Sequence, residues 1–165
     1  MDVDLFYTAA SAEYRSLVAR RLEKTFGVRV VDRGELALPG NARAPERGQH
    51  DAYLLLDHLV RCIRSDTALW VVDPDMFCEG VNFVFGLAMY HIAAVVSTSR
   101  LSSPGMVLKE AVHEMGHVMG LPHCRNRCVM QFSNTYEDAL RKPDQPCDRC
   151  RGLLNRKVIE AGQRT

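Results

Sequence analysis

The sequence predicts an α+β domain, a mixed α/β arrangement with helices packed on a twisted mixed β-sheet. Two observations carry this. Short apolar, β-rich runs alternate with stretches of helical periodicity in the order βαβαβββα. A stretch beginning near residue 104 carries both a helix start and a helix stop. The 165 residues, 47% of them hydrophobic and 25% charged, supply enough apolar material for one core, so a single domain is expected over 1–165.

Leu5-Phe6-Tyr7 centres a first strand over 4–8. Over 10–26, Tyr14, Leu17, Val18, Leu22 and Phe26 recur at helical spacing, and Gly27 can end that helix. Residues 28–32 form a short apolar run and a second strand. Three glycines with Pro39 and Pro45 mark 33–50 as a loop. A second helix is expected over 51–64, with Leu54, Leu55, His58, Leu59 and Cys62 on or beside one face. Residues 69–72 read as a third strand, ended by a turn at Asp73-Pro74-Asp75. A short β-rich segment follows at 81–85, then a buried-type strand at 91–97. Ser103 suits an N-cap and Pro104 the first helical position. This helix should run to about 119, where Gly120 permits a left-handed terminus and Pro122 forbids continuation. A last helix from 147 would bury Leu153, Leu154, Val158 and Ile159.

Twenty-one basic and 20 acidic residues leave a formal charge of +1. Such balance excludes a global basic field, so neither nucleic acid nor a membrane surface is expected as a partner. No apolar run approaches the roughly eighteen residues of a membrane span. The start Met1-Asp2-Val3-Asp4 has no basic region or apolar core of a secretory signal, which points to the cytoplasm. Six cysteines divide unevenly: Cys62 and Cys78 stand alone, while Cys124, Cys128, Cys147 and Cys150 form two close pairs. In a chain without an export signal such pairs read as metal ligands before disulfides. Two disulfides, or a redox pair at Cys147 and Cys150, are the competing readings.

The helix expected over 104–119 contains His113-Glu114-Met115-Gly116-His117. Residues four apart share a helical face, so both imidazoles can reach one ion. Glu114 stands about 100° around the axis from His113 and can flank the ion without binding it. That is the geometry of a zinc hydrolase, in which the carboxylate takes a proton from metal-activated water. Gly120 then lets the chain turn sharply, and His123 returns as a third imidazole. Three neutral imidazoles leave a fourth position open, as catalysis requires.

HEMGHVMGLPH has the form of the extended zinc signature of the metzincin metallopeptidases. Cys124, Cys128-Val129-Met130 and Cys147-Asp148-Arg149-Cys150 follow it, and Gly80-Val81-Asn82-Phe83-Val84-Phe85-Gly86 and Val95-Val96-Ser97 precede it. In this combination the chain resembles the archaemetzincins over 69–150. Two gaps, 125–127 and 131–146, are each one residue shorter than that family's pattern.

The resemblance implies a metzincin-like zincin fold with an active-site helix and a small C-terminal four-cysteine zinc lobe. It implies that His113, His117 and His123 bind the catalytic zinc, and that Glu114 acts as general base and then as proton donor to the leaving amine. Met130 would be the methionine of the Met-turn, packed beneath the metal, a role that overlaps with ordinary core filling. Some metzincins carry a tyrosine two residues after that methionine; here the position is Phe132, without a hydroxyl.

Cys124, Cys128, Cys147 and Cys150 match the close-pair spacing of a structural zinc site. Side chains of adjacent residues in an extended segment point apart, so His123 and Cys124 should serve two neighbouring sites. Two zinc ions per chain are therefore expected. The N-terminal subdomain would span 1–120 and the C-terminal subdomain 121–165. By the same resemblance, 81–85 would be the sheet edge that pairs with extended substrate.

Other residues read more plainly. His50, His58 and His91 lack ligand partners at motif spacing, and Cys62 and Cys78 read as buried thiols. Arg125, Arg127, Arg141, Lys142, Arg149, Arg151, Arg156 and Lys157 make the last quarter locally basic, as a solvated face. The expectation is a monomeric zinc-dependent metallopeptidase acting on peptides or proteins. The alternative is a non-catalytic zinc module that binds a partner through the four-cysteine lobe and this basic surface. Such a module has no use for Glu114 beside two metal-spaced histidines, which favours the enzyme.

Overall fold

A computed structural model describes residues 1–162 of the chain, with side chains described as far as Asn155. The first strand, β1 (Asp2–Tyr7), leads through a 3-10 stretch (Ala9–Tyr14) into helix α1 (Arg15–Phe26). The single helix expected over 10–26 is thus divided. Ser11 bonds back to the Thr8 carbonyl at 2.9 Å, a three-residue step that tightens the first turns. Gly27 ends α1 in the left-handed region at φ 67°.

Strand β2 (Arg29–Glu35) runs further than its apolar core because β1 supplies a parallel ladder from Arg29 to Glu35, interrupted only where Arg33 is skipped. The expected loop also contributes two short strands, β3 (Arg43–Ala44) and β4 (Gln49–Asp51). Asp51 caps helix α2 (Ala52–Val60), its carboxylate accepting from the Tyr53 and Leu54 amides at 2.9 and 3.3 Å. Leu55, Leu56 and Leu59 bury the inner face of α2, whereas Leu54 turns outward and Cys62 is only half-buried. Each buried leucine contributes about 1.5–3 kcal/mol, against about 1 kcal/mol for a cap, so packing holds this helix.

The remaining elements are β5 (Thr67–Val72), β6 (Met76–Cys78), β7 (Val81–Val84), β8 (Gly86–Met89), β9 (Ala93–Ser97), α3 (Pro104–Val118), α4 (Tyr136–Arg141) and α5 (Asp148–Gly162). The main sheet has the order β2-β1-β5-β9-β8, parallel except for β8, which runs antiparallel to β9. A second sheet has the order β3-β4-β6-β7. Period-two alternation divides the main sheet's side chains between two cores. Val3, Leu5, Leu69, Val71, Ala94 and Val96 face α1 and α3, while Phe6, Ala68, Trp70, Val72, Ala93 and Val95 face α2. Coverage of both faces explains why β5 and β9 are buried throughout and, apart from Thr67 and Ser97 at their ends, apolar.

The strand expected at 81–85 is one part of a longer feature. β7 ends the small sheet, the chain bends at Phe85, and β8 ends the main sheet. Each pairs on one side. Leu153 and Leu154 pack on the core as expected of the last helix. The side chains of Arg156, Lys157, Val158 and Ile159 lie outside the described residues. Among the described residues no helix is long and apolar enough to cross a membrane.

Candidate active site

Helix α3 begins as its sequence requires. The Ser103 side chain accepts from the Met106 amide at 3.3 Å, and Pro104 occupies the first turn. It ends where Gly120 adopts φ 82° and the Leu121 amide bonds back to the Gly116 carbonyl at 2.8 Å. That reversal brings His123 to the open side of His113 and His117. The three rings gather with centroids 4.7 Å (His113–His117), 4.7 Å (His117–His123) and 5.5 Å (His113–His123) apart.

The hydrogen bonds of the first two rings fix how they face. His113 Nδ1 lies 2.8 Å from the Val129 carbonyl, and His117 Nδ1 lies 2.8 Å from the Leu121 carbonyl. A carbonyl only accepts, so each Nδ1 carries the proton and each Nε2 presents a lone pair. The two Nε2 atoms stand 3.2 Å apart. Facing lone pairs at that distance repel unless a cation lies between them. Burial first, with Lys142 adding repulsion, depresses the proton affinity of all three histidines and favours the neutral ligand form. One ligand nitrogen from each of His113, His117 and His123 lies within 4.8 Å of the others, so the donor set fits a zinc ion.

Glu114 is buried beside this cluster. Burial, and then the Glu110 carboxylate one turn earlier, raise its carboxyl to about 8, while the Lys142 charge opposes the rise. Lys142 and Glu110 are themselves buried and stand 2.8 Å apart. The contact is an ion pair without the alignment of a hydrogen bond, so its contribution is charge compensation. Met130 is fully buried beneath α3. A Cβ on Gly116 would overlap its Sδ and come within 2.9 Å of its Cε, so the thioether lies directly on the helix backbone.

The four cysteines gather in a second cluster. Cys124 Sγ and Cys147 Sγ are 3.8 Å apart, and Cys128 Sγ and Cys150 Sγ 3.7 Å. A tetrahedron of thiolates at zinc–sulfur distances of about 2.3 Å has edges of about 3.8 Å, whereas a disulfide needs about 2.0 Å. All four thiols are free, and their sulfurs lie within 4.8 Å of one another. Burial resists ionisation of Cys147, but the Cys150 amide, Asn126 and the neighbouring thiols outweigh it and lower that thiol to about 6. The Cys124 amide donates to the Met130 carbonyl at 2.8 Å, which ties this cluster to the floor of the histidine site.

A cleft of about 650 Å³ opens over the histidines and Glu114, walled by Gly80 to Ala88 on one side and by Phe132, Ser133 and Asn134 on the other. Phe132 is exposed, and its ring meets His123 edge-on at 5.1 Å. The structure brings together His113, His117 and His123, and separately Cys124, Cys128, Cys147 and Cys150, the two groups singled out in the sequence. The sequence reading missed Gly86, Tyr90, Glu110 and Lys142. Tyr90 places its hydroxyl 3.3 Å from His117 Nδ1. Glu110 had a signal, since it lies one helical turn before Glu114. Lys142 had none, and it is buried although the sequence reading set it on a solvated face. Of the residues set aside, His58 packs on Trp70, Cys78 is buried, and Asp75 pairs with Arg100 at 2.7 Å.

Comparison with known proteins agrees with this geometry. The family model described as Peptidase family M54 matches residues 49–156. An archaemetzincin of Nanoarchaeum equitans is 39% identical over 152 residues, covering 92% of this chain and 89% of that protein. The crystal structure of an archaemetzincin from Methanopyrus kandleri superposes with a TM-score of 0.86 at 33% identity, covering 96% of both chains. That of an Archaeoglobus fulgidus archaemetzincin complexed with malonate gives a TM-score of 0.82 at 32% identity, covering 92% of this chain and 99% of that one. A family model over most of its length, and relatives alike in sequence and fold nearly end to end, establish that the chain belongs to peptidase family M54, the archaemetzincins.

Proposed function

We propose that this chain is a zinc-dependent peptidase in which His113, His117 and His123 hold the catalytic zinc and Glu114 moves the protons. The observation that carries this reading is the 3.2 Å approach of two Nε2 lone pairs beside a buried carboxylate. Bound there, zinc supplies a Lewis acid that polarises the scissile carbonyl and makes water a nucleophile at neutral pH. The chain's own groups do the rest. The Val129 and Leu121 carbonyls orient two of the imidazoles. Glu114 accepts a proton from the attacking water and delivers it to the departing amine. Burial gives its carboxyl a proton affinity near neutrality, which suits both halves of that transfer. An extended peptide would pair with the open edge of β8 along the cleft.

We assign a second, structural zinc to Cys124, Cys128, Cys147 and Cys150, making two ions per chain. Met130 supports the first site and Gly120 the turn that returns His123. The whole forms one catalytic domain, with subdomains 1–120 and 121–165 meeting after α3. It acts in the cytoplasm as a monomer on peptides or proteins, without membrane or nucleic-acid partners.

The test is digestion of a mixed peptide library, read by mass spectrometry, with wild type and Glu114→Ala at matched zinc content. Cleavage by the wild type alone supports the reading. No cleavage by either, with two zinc ions bound, would transfer it to a non-catalytic interaction module.

A further inference from the structure

Gly86 opens β8 and lines the cleft. A Cβ built on it would stand 2.5 Å from Glu114 Cγ and 2.8 Å from both Cδ and Oε1. Those separations are far inside van der Waals contact, so Glu114 fills the space that any other residue at 86 would need. Backbone freedom is not the reason for glycine, because Gly86 is not among the residues with positive φ. Its missing side chain is what the structure uses. The Glu114 carboxylate makes no hydrogen bond among the described residues, so packing against the bare Cα of Gly86 is a contact that helps to seat it.

A second feature places Gly86 in the peptide's path. The Phe85 carbonyl accepts from the Ser97 amide at 2.8 Å, and Gly86 faces Val96 in register. Bonding alternates along an antiparallel ladder, so the Gly86 N–H and C=O turn away from β9 toward the open edge. One residue therefore touches the carboxylate with its Cα and offers its main-chain groups where an extended peptide would add.

We propose that Gly86 is a positioning residue for peptide hydrolysis: its bare Cα seats the Glu114 carboxylate against the edge strand, in register with the peptide bound there. This rests on the peptidase reading above. A carboxylate displaced by about 1 Å costs about 100-fold in rate. The peptide's main-chain pairing with β8 does not depend on it, so the loss falls on kcat.

The experiment compares wild type, Gly86→Ala, Glu114→Ala and the double variant, all zinc-loaded. Gly86→Ala is expected to lower kcat about 100-fold with KM and zinc content unchanged. It should lower the thermal midpoint in the wild-type background and not in the Glu114→Ala background, where the obstructing side chain is gone. A crystal structure of Gly86→Ala should show the Glu114 carboxylate moved. An unmoved carboxylate, or the same loss of midpoint in both backgrounds, overturns the proposal. Full activity of Gly86→Ala beside an active wild type overturns it while leaving the peptidase reading intact. A wild type that cleaves no peptide overturns that reading itself.

Discussion

Replacing Lys142 by methionine tests how the active-site helix tolerates charge. Lys142 Nζ and Glu110 Oε1 are 2.8 Å apart, and their side chains are 1% and 3% exposed. Methionine keeps most of the side chain's volume and removes the ammonium. Glu110 is then a buried carboxylate with no counter-charge, on the same helix as His113 and Glu114. Breaking one side of such a pair costs about 3–5 kcal/mol, whereas replacing both partners by apolar residues of similar size is close to neutral. Lys142→Met and Glu110→Leu should therefore each destabilise strongly, and the double variant should recover most of the loss. Trp70, the only tryptophan, is fully buried and reports unfolding by fluorescence. Urea titration in excess zinc gives the stabilities and a double-mutant cycle gives the coupling. Single variants that each lose less than about 1 kcal/mol, adding up in the double variant, would show the pair to be as weak as an exposed one and refute the reasoning.

Three further outcomes follow from particular contacts. Gly116→Ala places a methyl group on Met130 Sδ, which should cost about 1–3 kcal/mol of overpacking; a thermal midpoint equal to wild type would show that the methionine is free to move. Cys147→Ser should lower the bound zinc measured by elemental analysis from two ions to one, and lower activity, because the Cys124–Met130 hydrogen bond ties the thiol cluster to the floor of the histidine site; full activity with one ion would sever that link. Burial of Asp4 pushes its carboxyl up, but the Arg64 and Ser65 amides at 2.6 and 2.9 Å and Arg33 at 2.7 Å outweigh it, leaving the folded-state value lowered. Its stabilising contribution is therefore complete above the unfolded value of about 3.9 and is lost as pH falls through the lowered folded one; Asp4→Asn should flatten the acid limb of a pH–stability curve, and an unchanged limb would contradict the assignment.

The clusters were legible because their geometry is local. The Ser103-Pro104 start, the four-residue step from His113 to His117 and the Gly120 stop are all set by one helix and its end. The cysteine pairs are close in sequence, and only their meeting is tertiary. The edge strand was less legible. The β-rich composition of 81–85 pointed to a strand, but nothing in it showed that the chain bends at Phe85 and passes from one sheet to the other. Nor did the loop composition of 33–50 reveal β3 and β4, which exist because β6 pairs with β4. His91 takes φ 64° although it is not a glycine, because its amide donates to the Val118 carbonyl at 2.9 Å.

From sequence alone came the mixed fold, the helix that carries the candidate site, the seven metal-ligand candidates and the candidate general base Glu114, since short-range spacing and residue chemistry point to them. Tertiary structure alone decided which residues surround Glu114. Gly86 arrives from a sheet edge and Lys142 from beyond α4, each across a long separation in the chain. Spacing along a sequence cannot encode contacts made by packing one element on another, and it is those contacts that set where the Glu114 carboxylate sits and how strongly it holds a proton.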